Sequence, residues 1–194
     1  MIGKLLSNVL KTDLDLPLIF TLSVISDVDL LIPFIEHRGP THSVLAIILI
    51  FLPLLTLYRK RAIPYLLATI QHPILGDFFS GGKIQLFWPL TTGYYGIEVG
   101  IKNPINIIAE LISFTIAILV MFRSRDHTKL LSSKNSLILA IPLFTLISPT
   151  FLKFPLEVPI LLIPPHLILI ILLAASVITG LKRKFLHTNM PDCS

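Results

Sequence analysis

Long apolar runs, separated by short polar stretches, alternate along most of this 194-residue chain. Several runs approach the ~20 residues that a membrane-crossing helix needs. Charges, glycines and prolines bound six segments: 14–35, 41–58, 62–79, 104–122, 136–152 and 157–181. Each is predicted to be a helix, because a backbone that faces lipid must satisfy its own hydrogen bonds. The pattern predicts an all-α fold, a polytopic transmembrane helical bundle.

Composition agrees with a membrane protein. Hydrophobic residues make up 54% of the chain and charged residues 14%, against roughly 45–50% apolar usage in soluble domains. The single cysteine, Cys193, excludes an intrachain disulfide and a thiolate metal cluster. We expect one membrane-embedded domain over 1–194, with a core motif region at about 20–90 and C-terminal helices at 104–181.

The basic residues predict an orientation. With six crossings and a cytoplasmic N-terminus, twelve Lys and Arg lie on the inner side and four on the outer side. Cytoplasmic loops carry such an excess, so both termini are predicted to be cytoplasmic in the cell membrane. Because the net charge of +5 sits at the ends of apolar runs, it indicates membrane anchors, and no nucleic-acid partner is expected.

The octapeptide EHRGPTHS at 36–43 interrupts the apolar pattern. The alternation of crossings places it at the same membrane face as the end of the first segment and the end of the third. Ionisable groups at membrane depth cost roughly 2.5–3.5 kcal/mol on insertion scales and mark functional sites. We therefore predict a metal site at this face, built from six side chains: Asp27, Asp29, His37, His42, His72 and Asp77.

Nitrogen and oxygen donors of this kind suit divalent metals. Zn²⁺ is the first expectation, and Mn²⁺ or Fe²⁺ are the alternatives. The number of donors fits one or two ions, and a pair of ions can hold both the attacked and the departing oxygen of a phosphoester. In a regular helix Asp27 and Asp29 would project about 200° apart, so a helix end or break is predicted at 26–30.

The residues around the octapeptide add local expectations. Gly39 and Pro40 stop any helix from passing through it, and Pro40 suits the first turn of the next helix. His42 would then lie at a helix N-terminus, which favours an anion. Thr41 is expected to help cap that helix. Arg38 would contact either a phosphate or a lipid headgroup.

Two other polar residues fall within apolar segments. Glu110 follows Pro104 by about 9 Å along a helix, at a depth from which it could join the site. It is open whether Glu110 is a ligand, a general base or a structural hydrogen-bonding residue. His166 is expected to be a buried histidine with a hydrogen-bond partner.

Three stretches of the sequence resemble a known family, the LexA-regulated, membrane-bound metal-dependent hydrolases, or YdjM-like proteins. They are SDVD at 26–29, HRGPTHS at 37–43, and HPILGDFFSGGKIQLFWP at 72–89. The likeness covers roughly 20–90, and HRGPTHS is its most specific part. It implies a polytopic helical fold and a metal-dependent hydrolase, with phosphoesters as the indicated substrates.

The chain departs from the family pattern in four places. No histidine precedes His37, although family members carry an early one. Ser26 replaces a proline, and Leu30 replaces a polar residue. His72 precedes Asp77 by five positions instead of four, so a bulge or kink must bring both side chains to one side.

The resulting functional hypothesis is a phosphoesterase-like hydrolase at the outer membrane face. Its substrate would be a lipid-linked or other amphiphilic phosphoester, and membrane lipid would be its partner. The residues expected to act in catalysis are Asp27, His42, Asp77, Arg38 and Glu110. The alternatives are an ion- or proton-coupled transporter, in which such carboxylates relay charge, and a catalytically inactive membrane scaffold.

Overall fold

The structure is a computed structural model that describes residues 14–189, apart from residues 33, 98 and 156. The described residues form no named strand, and their one isolated β-bridge pairs Ile84 with Tyr95. The α-helices are α1 Leu16–Leu22, α2 Val44–Tyr58, α3 Ile63–Gln71, α4 Pro104–Arg123, α5 Asp126–Ser132, α6 Ala140–Ile147 and α7 Ile163–Asn189. The all-α prediction is confirmed for this part of the chain.

Tighter and wider helical turns interrupt the α-helices. The 3₁₀ turns are Ile25–Leu31, Pro40–His42, Arg59–Arg61, Ser136–Leu139 and Ile160–Leu162. Two π-helices, His72–Gly81 and Ser148–Leu152, directly continue α3 and α6. Several of these breaks divide apolar runs that look continuous in the sequence.

Two helices are long and apolar enough to cross a membrane, Pro104–Arg123 and Ile160–Leu186. A third span results if Asp126–Ser132 and Ser136–Leu152, which meet at 113°, form one broken crossing. Six segments are not supported, because α1 has 7 residues and α2 has 15. The first predicted segment gives way to a 3₁₀ turn at Ile25. Lys4, Lys11 and Cys193, like both chain termini, lie outside the described residues.

A small core joins the two halves of the chain. It consists of one leucine or methionine from each of five elements: Leu16, Met121, Leu130, Leu139 and Leu173. Helix α7 packs against α5, α6 and the turn Ser136–Leu139, while α1 packs against that turn and against α3. Because α3 continues into the π-helix, α1 connects the C-terminal helices to the polar region.

The hydrogen bonds of α1 strengthen this connection. Its N-cap Asp15 accepts a hydrogen bond from Asn135 Nδ2 at 2.6 Å, and Thr21 Oγ1 donates to the carbonyl of Ile138 at 3.1 Å. On the other side, the backbone N–H of Asp15 donates to the Tyr65 hydroxyl at 3.0 Å. The short helix is therefore held from both sides.

Close contact between α7 and the turn before α6 depends on Gly180. A Cβ atom at this position would overlap Ser136 Oγ and lie 3.4 Å from Ser136 Cβ. Ser136 is fully buried, and its hydroxyl finds no hydrogen-bond partner among the described residues. The missing side chain of Gly180 thus makes room for the serine.

We expect Gly180→Ala to lower the melting temperature in detergent, because overpacking costs about 1–3 kcal/mol. Since the overlap is with the serine hydroxyl, Ser136→Ala should restore the melting temperature in the double variant. Ser136→Ala alone, which removes an unpaired hydroxyl, serves as the control and should change little. Equal melting temperatures for Gly180→Ala with and without Ser136→Ala would contradict this packing.

Candidate metal centre

Asp27 and Asp29 lie in the 3₁₀ turn Ile25–Leu31, just after α1 ends at Leu22. The predicted break of the helix at 26–30 is therefore confirmed. A 3₁₀ turn advances about 120° per residue, so these two carboxylates still point in different directions. They reach opposite nitrogens of one imidazole, that of His42.

The octapeptide supplies His42 through a second 3₁₀ turn, Pro40–His42. Arg38 before it has a left-handed φ of 66°, and no helix passes through Gly39 and Pro40, as predicted. Helix α2 then begins at Val44, capped by Ser43, whose Oγ accepts from Ala46 N at 3.2 Å. The prediction that Thr41 caps this helix is wrong, since its hydroxyl donates to Asp29 Oδ2 at 2.8 Å.

The π-helix His72–Gly81 brings His72 and Asp77 together. Its hydrogen bonds join residues five apart, as in the bond from Gly82 N to Asp77 O at 3.0 Å. Residues at i and i+5 therefore fall on nearly the same side. The expected bulge is present, and it compensates for the five-residue spacing.

Four donor atoms from these segments meet in what we call the four-donor cluster: His42 Nε2, His72 Nε2, Asp27 Oδ1 and Asp77 Oδ2. His42 Nε2 lies 3.3 Å from each of the two carboxylate oxygens. His72 Nε2 lies 3.0 Å from Asp27 Oδ1 and 3.3 Å from Asp77 Oδ2. Ligand atoms about 2.0–2.2 Å from one ion lie roughly 3.0–3.5 Å from one another. These four distances are those expected between metal ligands, and the donor atoms of His42, His72 and Asp77 all lie within 4.8 Å of one another.

Burial supports the same conclusion. The side-chain exposure is 0% for His42, 7% for Asp77, 15% for Asp27 and 24% for His72. Asp77 Oδ2 is buried and has no hydrogen-bond partner in the described part of the chain. Buried polar atoms in native proteins are nearly always satisfied, and a cation between these donors would satisfy this one.

The other two predicted ligands lie behind this cluster. Asp29 Oδ1 is 3.1 Å from His37 Nδ1, and Asp29 Oδ2 is 3.3 Å from His42 Nδ1. The rings of His37 and His42 meet edge to face, with centroids 5.1 Å apart. His37 also forms a second group of possible ligands with Asp27 and His42, whose donor atoms lie within 4.8 Å of one another. The arrangement can hold a metal ion, and it brings together all six side chains singled out in the sequence.

Arg38 contacts the far oxygen of Asp77. Its Nε donates to Asp77 Oδ1 at 3.1 Å, and its guanidinium lies over Gly81 and Gly82. A Cβ atom at Gly81 would be 2.6 Å from Arg38 Nη2 and 3.0 Å from Asp77 Oδ1, while Gly82 has a φ of 130°. The glycine pair therefore admits the arginine. The spacing of the sequence did not reveal this Arg38–Asp77 pair.

These contacts shift the pKa values of groups that lie outside the two long spans. Burial raises the pKa of Asp27, but His72 and His42 outweigh it and hold that pKa below its ordinary range. Burial likewise raises the pKa of Asp29, and hydrogen bonds from His37, His42 and Thr41 reverse the effect. Burial lowers the pKa of His42, whereas the carboxylates of Asp27 and Asp29 raise it to about 9.

The signs of these shifts define a pH range for the ion pairs. Because the pKa values of the two aspartates are lowered, their ion pairs stabilise the fold at pH values above 3.8, the ordinary pKa of aspartate. This stabilisation is lost as the pH falls towards the lowered pKa values. Because the pKa of His42 is raised, its ion pairs give their full stabilisation below pH 6.5, the ordinary pKa of histidine. That stabilisation is lost as the pH rises through about 9. The His–Asp pairs thus stabilise the fold most between mildly acidic and neutral pH.

Glu110 and His166 have other partners. Glu110 accepts a hydrogen bond from Asn106 Nδ2 at 3.1 Å on α4. Within the described ranges, no hydrogen bond or ion pair joins it to the six residues above. His166 is buried, with Nδ1 2.9 Å from Thr150 Oγ1 and its ring against Phe114. The expectation of a buried, partnered His166 is confirmed.

The family model of the YdjM inner membrane protein matches residues 5–152, a range that contains every donor of the centre. The chain belongs to the YdjM inner membrane protein family. No curated protein and no solved structure matches it. Membership confirms the resemblance noted at 20–90, and with the apolar helices α4 and α7 it identifies this YdjM family chain as a membrane protein.

A loop over residues 83–97 is fastened to the centre through Ser43. The hydroxyl of Ser43 is fully buried and lies 2.8 Å from the carbonyl of Trp88 and 3.1 Å from that of Leu86. At the far end of the loop, Ile97 N donates to Phe78 O in the π-helix at 2.7 Å. One serine therefore caps α2 and holds the loop beside His42.

We expect Ser43→Ala to destabilise this YdjM family protein by about 0.5–2 kcal/mol through loss of the cap. It should also loosen the loop, which carries Trp88, the only tryptophan. Acrylamide quenching of tryptophan fluorescence should therefore increase. Ser23→Ala, which removes a hydroxyl bonded locally to Phe20 O at 2.7 Å, is the control. Unchanged quenching in Ser43→Ala would argue against the anchoring role.

Proposed function

We propose that this YdjM family protein is a metal-dependent hydrolase of phosphoesters, with its centre at the four-donor cluster. The observation that carries the proposal is the convergence of Asp27, His42, His72 and Asp77. Each histidine Nε2 lies 3.0–3.3 Å from an oxygen of both Asp27 and Asp77, and one of these oxygens, Asp77 Oδ2, has no hydrogen-bond partner among the described residues. A divalent ion bound there supplies Lewis-acid activation of water and neutralises charge on a phosphoryl oxygen.

The donor set supports the choice of metal. Two imidazoles and two carboxylates suit Zn²⁺, and they also accept Mn²⁺ or Fe²⁺. One ion accounts for the four-donor cluster. A second ion would have to use His37, which lies in the neighbouring group of possible ligands with Asp27 and His42.

Exposure suggests how substrate reaches the centre. His42 is fully buried, while His72, His37 and Arg38 have side chains that are 24%, 27% and 19% exposed. The open side of the site is therefore lined by imidazole and guanidinium groups, which can donate hydrogen bonds to a phosphate. In this proposal Arg38 orients Asp77 and contacts the phosphate, while Glu110 stays with Asn106 and takes no part.

An amphiphilic substrate follows from the surface beside this opening. The chain between Asp29 and His37 carries exposed apolar side chains, with Leu31 at 48%, Ile32 at 43% and Phe34 at 107% relative exposure. Exposed apolar groups next to a polar site are typical of contact with lipid or with an apolar ligand. We propose a lipid-linked or similar phosphoester, taken from the outer leaflet without leaving the bilayer.

A transporter is the second candidate, because Glu110 and Asn106 lie in α4, a helix able to span a membrane. Ionisable residues within such helices mark ion and proton pathways. Uptake of protons or cations into proteoliposomes that is lost in Glu110→Gln would favour transport over hydrolysis.

For the hydrolase, we expect detergent-purified protein to contain a stoichiometric divalent metal by elemental analysis and to hydrolyse phosphoesters in a lipid extract. His42→Ala should lose both the metal and the activity, because it removes one of four ligands. His166→Ala, which alters a buried histidine elsewhere, should retain both. Equal metal content in His42→Ala and the unmodified protein would refute the centre as described.

A further inference from the structure

Asp29 touches two imidazoles at once, and both contacts use the same ring position. Its Oδ1 lies 3.1 Å from Nδ1 of His37, and its Oδ2 lies 3.3 Å from Nδ1 of His42. The hydroxyl of Thr41 donates to Oδ2 at 2.8 Å. The Asp29 side chain is 0% exposed. Both oxygens of this carboxylate are thus already occupied by neighbours from the octapeptide.

The use of Nδ1 has a consequence for the opposite nitrogen. A neutral imidazole carries one N–H and one lone pair. If the N–H is on Nδ1 and faces Asp29, the lone pair is on Nε2. In His42 that atom belongs to the four-donor cluster, 3.3 Å from both Asp27 Oδ1 and Asp77 Oδ2. In a neutral His42 ring, which is the form that binds a metal, the acceptors at Nδ1 favour a lone pair on Nε2; these acceptors are Asp29 Oδ2 and, at 3.1 Å, Thr41 Oγ1.

We propose that Asp29 is a positioning residue that fixes the tautomer and ring orientation of His42 and His37, and is not itself a metal ligand. This inference rests on the proposed metal centre. Carboxylates behind ligating histidines raise metal affinity, and their loss typically costs 10–100-fold. The two aspartates of the D-x-D motif accordingly have different roles: Asp27 faces the ion, and Asp29 faces the back of the histidine.

The substitution Asp29→Asn makes the distinction testable. An amide has one oxygen and one NH₂ group, so the substituted side chain could accept from only one imidazole and would present donors to the other. Asp29→Asn should therefore misplace or re-protonate an imidazole without removing a first-shell donor. Asp27→Asn, by contrast, changes the first shell directly.

The experiment is a titration of chelator-treated, detergent-purified protein with Co²⁺, followed by visible absorption and by elemental analysis of bound cobalt. For Asp29→Asn we expect unchanged stoichiometry and unchanged d–d band positions, with a Kd roughly 10–100-fold higher. Asp27→Asn should shift the bands. Thr41→Val removes a hydroxyl that donates to Asp29 Oδ2 and lies 3.1 Å from His42 Nδ1, and it should raise Kd less than Asp29→Asn while leaving the bands in place.

The outcomes separate the alternatives. Bands that move in Asp29→Asn as they do in Asp27→Asn would make Asp29 a ligand and overturn the inference. A Kd equal to that of the unmodified protein, with only a lower melting temperature, would reduce Asp29 to a structural role and overturn it as well. If Asp29→Asn does not fold, Asp29→Glu takes its place, because it keeps a carboxylate but displaces its oxygens; moved bands or an unchanged Kd there contradict positioning by Asp29. Failure of the unmodified protein to bind Co²⁺ would refute the metal centre itself, and the inference with it.

Discussion

The polar half of this protein depends on the burial of one imidazole between carboxylates. His42 is completely enclosed, and it meets Asp27 and Asp77 through Nε2 and Asp29 through Nδ1. Burying ionisable groups is costly unless they are paired and hydrogen-bonded. This constraint explains why the turn at 25–31, the octapeptide and the π-helix converge. Each segment contributes an ionisable side chain that is paired by side chains of the other segments.

Irregular backbone segments around His42 make this convergence possible. The 3₁₀ turns present Asp27, Asp29 and His42 where regular α-helices would separate them. Arg38 adopts a left-handed conformation and extends over a glycine pair to the remaining oxygen of Asp77. Backbone in uncommon conformations tends to occur where function requires it. The regular helices α4 and α7 are long and apolar enough to cross a membrane, and α1 joins them to the polar region.

Part of this organisation could be predicted from the sequence. The apolar pattern predicted an all-helical membrane protein, and the positions of six Asp and His residues predicted where they would gather. The impossibility of Asp27 and Asp29 sharing a helix face predicted the break at 26–30. The extra residue between His72 and Asp77 required a bulge, which the π-helix provides.

Other features could not be predicted, for physical reasons. Apolarity alone does not show where a helix stops, so six runs were interpreted as six spans although α1 ends after 7 residues. Asp27 and Asp29 reach different nitrogens of His42, and residue spacing contains no information on that. Arg38 could be expected near an anion, but its actual partner, Asp77, is 39 positions away.

The wide turn of the π-helix also bears on how this family can vary. A helix that changes locally from one hydrogen-bond register to another can absorb an inserted residue while its two functional side chains stay in place. Insertions and deletions between the histidine and the aspartate are therefore compatible with the same local geometry. Relatives of this chain are better sought with a motif that allows either spacing than with one of fixed length.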